Sequence, residues 1–318
     1  MFKVAIIGAG QLGSRHLQGL KGASSPLSIT VVDSSEDSLK VAQERYDAIS
    51  AVGEKEVKYV SGIDSLPKTL DLVIVATGSK PRAAIVKSLL DTKSVTNLVL
   101  EKVLFPELSA YDEIAKLLSE EDVRCWVNCP RRMYGMYQEI AKLIDVNKPL
   151  RMVYGDENWG LCCNSIHEID LFMYLIGENK YSIDTTSVNP QIEPSKRNGY
   201  IEMTGTLVVK TPKGNELVLT SVNGFDGKAG ITITNGEKII YVDETHGFWL
   251  DGNIENRFSV PYQSQLSGIL ADELLTSGTC QLSSYELSAS YHKPFIIALL
   301  QKYNEIEGLQ DNKLLPIT

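Results

Sequence analysis

The chain has 318 residues, enough for two domains that each bury a core. A hydrophobic share of 43% and a charged share of 22% match an ordinary globular protein and exclude a disordered or low-complexity chain. The net charge of −9 argues against a general nucleic-acid surface, but says little about a small anionic ligand, which responds to its local site.

No apolar run approaches the ~18 residues of a membrane span. The chain opens in a core strand and leaves no room for a secretory leader, so a cytoplasmic location is expected. Cys125, Cys129, Cys162, Cys163 and Cys280 are odd in number and form no paired framework, and buried reduced thiols fit the same compartment.

Phe2 to Ile7 reads as a short buried strand that runs directly into Gly8-Ala9-Gly10-Gln11-Leu12-Gly13. Leu12, His16, Leu17 and Leu20 follow at helical spacing. Strand, glycine turn and helix in this order set a pyrophosphate on a helix N-terminus. Gly8 permits the tight turn, Gly10 lets the backbone approach the phosphates, and Gly13 lets the helix pack close to the sheet; Gln11 and Leu12 lie in the same cofactor-binding turn. Leu27 to Val32 reads as the second strand and ends in Asp33, about twenty residues past the glycines, where an acid accepts hydrogen bonds from the adenosine ribose. Asp33 also repels a 2′-phosphate, and no cation follows before Lys40, so NAD is preferred over NADP. The plainer alternative for Asp33 is a cap on the next helix.

That helix runs from Asp37 to Tyr46, with further strands at Val57–Val60, Asp71–Ala76, Asn97–Leu100 and Arg124–Asn128. Helices are expected from Thr77-Gly78 through Leu90 and over Leu108–Leu118. The alternation implies a parallel sheet, whose ligands bind at the carboxyl ends of its strands. Thr77-Gly78, Glu101-Lys102, and Asn128 with Arg131 and Arg132 fall at such ends. Beside nicotinamide, the Lys102 ammonium can polarise a hydroxyl or carbonyl and exchange its proton; its plain role would be a solvated surface charge.

After a helix over Tyr134–Ile144, extended runs fill residues 151 to 250, with Asn235-Gly236 marking a hairpin. Tyr262–Leu275 and Tyr285–Tyr303 read as closing helices. The fold class is therefore α/β: an N-terminal Rossmann domain with a doubly wound parallel sheet, and a C-terminal α+β domain with a large, mostly antiparallel open sheet. The expected domains are 1–126, binding NAD, and 127–318, for substrate and oligomer contacts, with the last helices able to pack back on the first.

In the segment Cys162 to Phe172, helical spacing sends Ile166, Ile169, Phe172 and later Leu175 to a core. Asn164, His167 and Asp170 share a neighbouring stripe. Asn164 or Ser165 is placed to cap this helix, with Glu168 completing a box with Ser165. His167 is a candidate acid/base, although a lone histidine is more often structural. His-x-x-Asp lacks a third ligand, so no metal is expected.

These motifs together resemble the Gfo/Idh/MocA oxidoreductases, the glucose–fructose oxidoreductase and inositol dehydrogenase superfamily. The resemblance spans nearly the whole chain: GAGQLGSRH at 8–16, VATGSKPRAAIV at 75–86, Glu101-Lys102, Pro130–Tyr134, SIHEIDLF at 165–172 and Leu282–Glu286. It implies hydride transfer between nicotinamide and a secondary alcohol or ketone of a sugar, cyclitol or nucleotide sugar. It also implies a homodimer or homotetramer built through the open sheet. Lys102 matches the lysine of the family's Glu-Lys-Pro motif, and His167 matches its catalytic histidine. Asn128, Arg131, Arg132, Tyr137, Trp159, Asn164 and Asp170 are candidates for the substrate pocket, with helix-start contacts or domain packing as the alternative for the weaker ones.

Three positions depart from the family pattern. Val103 replaces the usual proline, Arg82 stands where many members have histidine, and Cys163 occupies the position of an aspartate four residues before the histidine. The last departure leaves room for two other readings, a redox-neutral sugar hydrolase or lyase that retains NAD, and a non-catalytic NAD-binding sensor.

Overall fold

A computed structural model describes residues 1–318. The first elements are β1 (Phe2–Ile7), α1 (Gln11–Lys21), β2 (Leu27–Val32), α2 (Glu36–Asp47), β3 (Lys55–Val60), β4 (Thr69–Val75), α3 (Ser79–Thr92), β5 (Ser94–Leu100), α4 (Ser109–Glu120) and β6 (Arg124–Val127). Then come α5 (Gly135–Leu143), β7 (Leu150–Glu157), α6 (Leu161–Ile176), β8 (Ser182–Asp184), β9 (Glu193–Pro194) and β10 (Ile201–Glu202). The remainder are β11 (Gly205–Lys210), β12 (Glu216–Val222), β13 (Gly230–Asn235), β14 (Lys238–Asp243), β15 (Phe248–Asp251), β16 (Ile254–Arg257), α7 (Gln263–Thr276), β17 (Ser283–Ser284) and α8 (Tyr285–Glu307).

The chain divides into two compact units. One comprises Met1–Phe105, Ser109–Asn128 and Pro261–Tyr285; the other comprises Pro106–Leu108, Cys129–Val260 and Glu286–Thr318. Residues 261–285, which include α7, lie in the first unit. The reason is close packing between α1 and α7. A Cβ on Gly19 would lie 2.6 Å from Ser267 Cβ, and one on Gly268 would lie 2.6 Å from Gly19 O, so the helices meet at a contact that only glycines allow. Asp272 of α7 accepts from the Ser24 and Ser25 amides at 2.7 and 2.9 Å, and β17 pairs antiparallel with β6.

In the first unit the strand order is β17-β6-β5-β4-β1-β2-β3, parallel throughout except for β17. The order reverses between β1 and β4, the switch point where such sheets open a ligand crevice. The ends of β1, β4 and β5 are buried over four successive residues each, as expected of central strands covered on both faces.

The second unit holds an eight-stranded sheet in the order β16-β15-β14-β13-β7-β12-β11-β8. Only β7 and β12 pair in parallel. β12 and β13 alternate half-buried and buried residues, the pattern of a sheet with one face on the core. The expected fold class is borne out in both sheets. The Asn235 hairpin is also present, with Gly236-Glu237 as its turn: Asn235 closes the ladder opposite Lys238, and Gly236 takes φ 64°. No helix is long and apolar enough to cross a membrane.

Candidate active site

The glycine turn has the geometry its spacing predicts. Gly8 takes φ 97°, and a Cβ on Gly13 would lie 1.7 Å from Gly8 O, so neither position accepts a side chain without backbone movement. A Cβ on Gly10 would meet nothing within 4 Å, so this side of the turn faces open space. Gly10 is also the N-cap of α1; no side chain caps the helix, and its first turn carries no acid. The first-turn amides, Gln11 and Leu12 among them, are therefore set for an anion.

Asp33 lies at the end of β2. Its Oδ2 accepts from the Ala9 amide at 2.7 Å and its Oδ1 from Ser35 N at 2.9 Å. Ser35, not Asp33, caps α2, accepting from Ser38 N at 3.2 Å, which removes the plainer reading of Asp33. Each carboxylate oxygen keeps a lone pair for a further donor. Beside it opens a cavity of about 390 Å³, lined by Gly8, Asp33, Asp64 and Thr77 among others, with no lysine or arginine in its wall. Thr77 Oγ1 is buried there with no hydrogen-bond partner. Gly78 is the N-cap of α3.

At the end of β5, Glu101 is 2% exposed, and its Oε1 accepts from His16 Nε2 at 2.8 Å and Asn128 Nδ2 at 2.6 Å. His16 Nδ1 lies 2.9 Å from Ser267 Oγ, and Asn128 also donates to Gln263 Oε1 at 2.8 Å. Burial pushes the Glu101 carboxyl up, but the His16 bond and charge, the Asn128 bond and the nearby Arg82 hold it below the ordinary carboxylate value. Glu101 is thus an ionised anchor tying the end of β5 to α1, β6 and α7. Lys102 follows it, half-buried, and the Lys102–Val103 peptide is cis. Buried Arg82 donates to the carbonyls of Thr77, Val103 and Leu104, the last at 2.8 Å, and so braces the chain immediately after Lys102.

In the second unit, α6 begins at Leu161 with Gly160 as N-cap, earlier than expected. Ser165 lies inside the helix and donates to Leu161 O at 2.5 Å, so neither it nor a box with Glu168 starts the helix. The cap comes from Glu202 on β10, which accepts from Cys162 N at 2.8 Å and Cys163 N at 3.0 Å. Asn164 Nδ2 donates to Trp159 O at 2.6 Å, and the Trp159 indole donates to Thr220 O at 2.7 Å. Cys163, Asn164, Trp159 and Glu202 line a cleft of about 360 Å³. His167, half-buried, stands one turn along α6 from Cys163.

Asp170 and Arg132, both expected at the substrate pocket, instead bind each other. Arg132 Nε lies 2.8 Å and Nη2 3.2 Å from the two Asp170 oxygens, and both residues are buried. Arg131 and Tyr137 are held similarly: Arg131 makes two 3.0 Å bonds to Glu244, and the Tyr137 hydroxyl donates to Glu244 at 2.7 Å. Arg131 also meets Glu168 at 3.1 Å. One guanidinium thus serves two carboxylates. Burial, together with the charge of Glu244, pushes the Glu168 carboxyl to about 7 against the pull of Arg131.

The sequence model of an oxidoreductase family with an NAD-binding Rossmann fold, Gfo/Idh/MocA, matches residues 2–129. Residues 2–129 are thus similar in sequence to the NAD-binding domain of that family. No curated protein matches the chain. Among solved structures it is similar to an oxidoreductase from Agrobacterium radiobacter in complex with NAD+, L-tartaric acid and magnesium, at 14% identity over 97% of this chain and 99% of that one, TM-score 0.68. GenD2 from gentamicin A biosynthesis, in complex with NAD, is similar at 15% identity over 96% and 95%, TM-score 0.70. A variant of KijD10, a 3-ketoreductase from Actinomadura kijaniata, in complex with TDP-benzene and NADP, is similar at 14% over 95% and 97%, TM-score 0.68. At these identities the likeness is one of fold.

In this domain, Gly8, Gly10, Gln11, Leu12, Gly13, Asp33 and Thr77 gather around the turn and its cavity. Glu101 and Asn128 instead form the buried brace before Lys102. Glu202 and Glu244, in the second unit, escaped the sequence reading. Neither sits in a local motif, and each gains its role from partners far along the chain.

Proposed function

We propose that the protein is an NAD-dependent dehydrogenase or reductase acting on a secondary alcohol or ketone of a sugar-like substrate. The observation that carries this reading is the cradle of the first unit. Its uncapped α1 amides suit a diphosphate, the partnerless Thr77 hydroxyl awaits a polar ligand, and Asp33 in a wall without cations suits an unphosphorylated ribose. Bound NAD supplies the hydride acceptor. The chain supplies the proton chemistry: Lys102 or His167 takes the hydroxyl proton during oxidation and returns it during reduction. Glu101 and Arg82 hold Lys102 from either side along the backbone. Trp159, Asn164 and the cleft at the start of α6 are assigned to the substrate, while Arg132 and Asp170 maintain the frame around α6. We also take the protein to be a cytoplasmic homodimer or homotetramer.

The test is NADH formation or consumption across sugars, cyclitols and nucleotide sugars, comparing wild type with Lys102→Ala and His167→Ala, each checked for NAD binding. Turnover by wild type that collapses in both variants, with cofactor affinity intact, is the expected result. Tight NAD binding without net turnover of any substrate would overturn it. NAD retained through desalting together with substrate cleavage would identify a redox-neutral hydrolase or lyase.

A further inference from the structure

Arg45, in the last turn of α2, does not spend its guanidinium on the end of its own helix. The carbonyls there are already held, Arg45 O by Gln18 Nε2 at 3.0 Å and Tyr46 O by Lys21 Nζ at 2.6 Å. The guanidinium reaches across to the first turn of α1 instead. Its Nη1 donates to Ser14 Oγ at 2.5 Å and to Gln11 O at 3.4 Å, and its Nη2 donates to Gln11 Oε1 at 2.7 Å. Ser14, fully buried, donates in turn to Gln11 O at 3.1 Å. All the oxygens that Arg45 meets are neutral, so none of them offsets its charge. A helix N-terminus carries partial positive charge and disfavours a neighbouring cation. Arg45 lies against that end of α1, where no first-turn acid and no side-chain cap compensates it. Helix packing gives no reason for a cation there; an anion bound at the same turn does.

The bond to Gln11 also sets the direction of its amide. With Oε1 held by a donor, the NH2 group faces away from Arg45, and Gln11 Nε2 donates to no atom of the protein. Gln11 is exposed at the first position of α1, beside Gly10 on the open side of the glycine turn. We propose that Arg45 is a cofactor-positioning residue, which turns the Gln11 side chain so that its NH2 group donates to the diphosphate of the bound dinucleotide. Arg45 itself acts from behind the turn, through Gln11 and Ser14, and its charge adds to the attraction of the α1 amides. This inference rests on the NAD reading above and extends the diphosphate site from the glycine turn to α2.

The experiment is a double-mutant cycle on cofactor affinity, read by fluorescence titration with NADH and with NADPH at fixed ionic strength. Wild type, Arg45→Met, Gln11→Leu and the double variant Arg45→Met/Gln11→Leu are compared, each with its melting temperature in the absence of ligand. Either single change should weaken NADH binding about tenfold, the scale of one hydrogen bond to a charged group. NADPH binding should weaken by the same factor, because the two cofactors share the diphosphate. The double variant should lose little more than either single one, about tenfold and not about 100-fold, since both changes remove one arrangement.

Unchanged NADH affinity in Arg45→Met overturns the proposal. So does a loss in Arg45→Met that comes with a lowered melting temperature and has no counterpart in Gln11→Leu, because Arg45 would then serve only the packing of α1 on α2. Single losses that multiply in the double variant overturn it as well, since the two residues would then act separately. A loss confined to NADPH overturns it by assigning Arg45 to the 2′-phosphate. If Arg45→Met does not fold, Gln11→Leu decides: the exposed side chain is changed without touching the core, and NADH affinity equal to wild type overturns the proposal. NADH binding that depends on both residues without turnover of any substrate would refute the dehydrogenase reading and leave this one standing. Wild type that binds neither NADH nor NADPH overturns the NAD reading and this inference together.

Discussion

Removing the charge of Asp33 should change cofactor discrimination more than the fold. In Asp33→Asn, one side-chain oxygen remains to accept from Ala9 or Ser35, so the glycine turn keeps part of its support. The ribose hydroxyls lose a charged acceptor, worth about 1.5–3 kcal/mol, and NAD affinity should fall roughly 10- to 100-fold. NADP loses that contact as well but escapes a repulsion. Two unit charges ~4 Å apart cost about 4 kcal/mol at an effective dielectric near 20, and salt screening at this half-exposed rim cuts the figure. The NADP-to-NAD affinity ratio should therefore rise about 10- to 100-fold, equivalent to roughly 1.4–2.8 kcal/mol. Fluorescence titration with NADH and NADPH at fixed ionic strength measures both constants. A ratio unchanged in a folded Asp33→Asn protein would refute the reasoning and shift discrimination to another wall residue such as Asp64.

Gly13→Ala should abolish measurable NAD binding and destabilise the protein by about 1–3 kcal/mol or more, because the added Cβ would sit 1.7 Å from a backbone oxygen; calorimetry and urea denaturation test this. Arg82→Met leaves the carbonyls of Thr77 and Leu104 without this donor and removes positive charge near Glu101, a loss of about 3 kcal/mol in urea denaturation, with faster amide exchange over residues 102–105. The Glu168 carboxyl is raised to about 7 in the folded protein, so its stabilising contribution is complete below pH ~4.5 and is lost as pH rises through ~7. Glu168→Gln should flatten the pH dependence of unfolding free energy in that window, by up to about 3 kcal/mol; an unchanged slope would show that Glu168 ionises normally.

The cofactor half of the site was legible because its determinants are local. Gly8, Gly10 and Gly13 act within one turn, and Asp33 ends the very next strand, so spacing alone carried the turn's geometry and the place of the acid beside it. Strand and helix periods did the same for both sheets and for the apolar stripe of α6. Where elements meet, local pattern was silent. Asp170 shares a helical stripe with His167, yet a buried partner, Arg132, claims it. Ser165 has the chemistry of a cap, but the backbone had already turned helical at Leu161.

The sequence by itself determined the Rossmann architecture, the NAD-type turn and the candidacy of Lys102 and His167, because each depends on residues within a few turns of one another. Tertiary structure alone decided that Gly19 and Gly268 bring α1 and α7 into contact, that His16 and Asn128 grip Glu101, that Arg82 braces the chain beyond Lys102, and that Glu202 caps α6. These are contacts between distant segments. Their free energy comes from burying complementary polar groups together, and no periodicity along the chain encodes which partner will arrive.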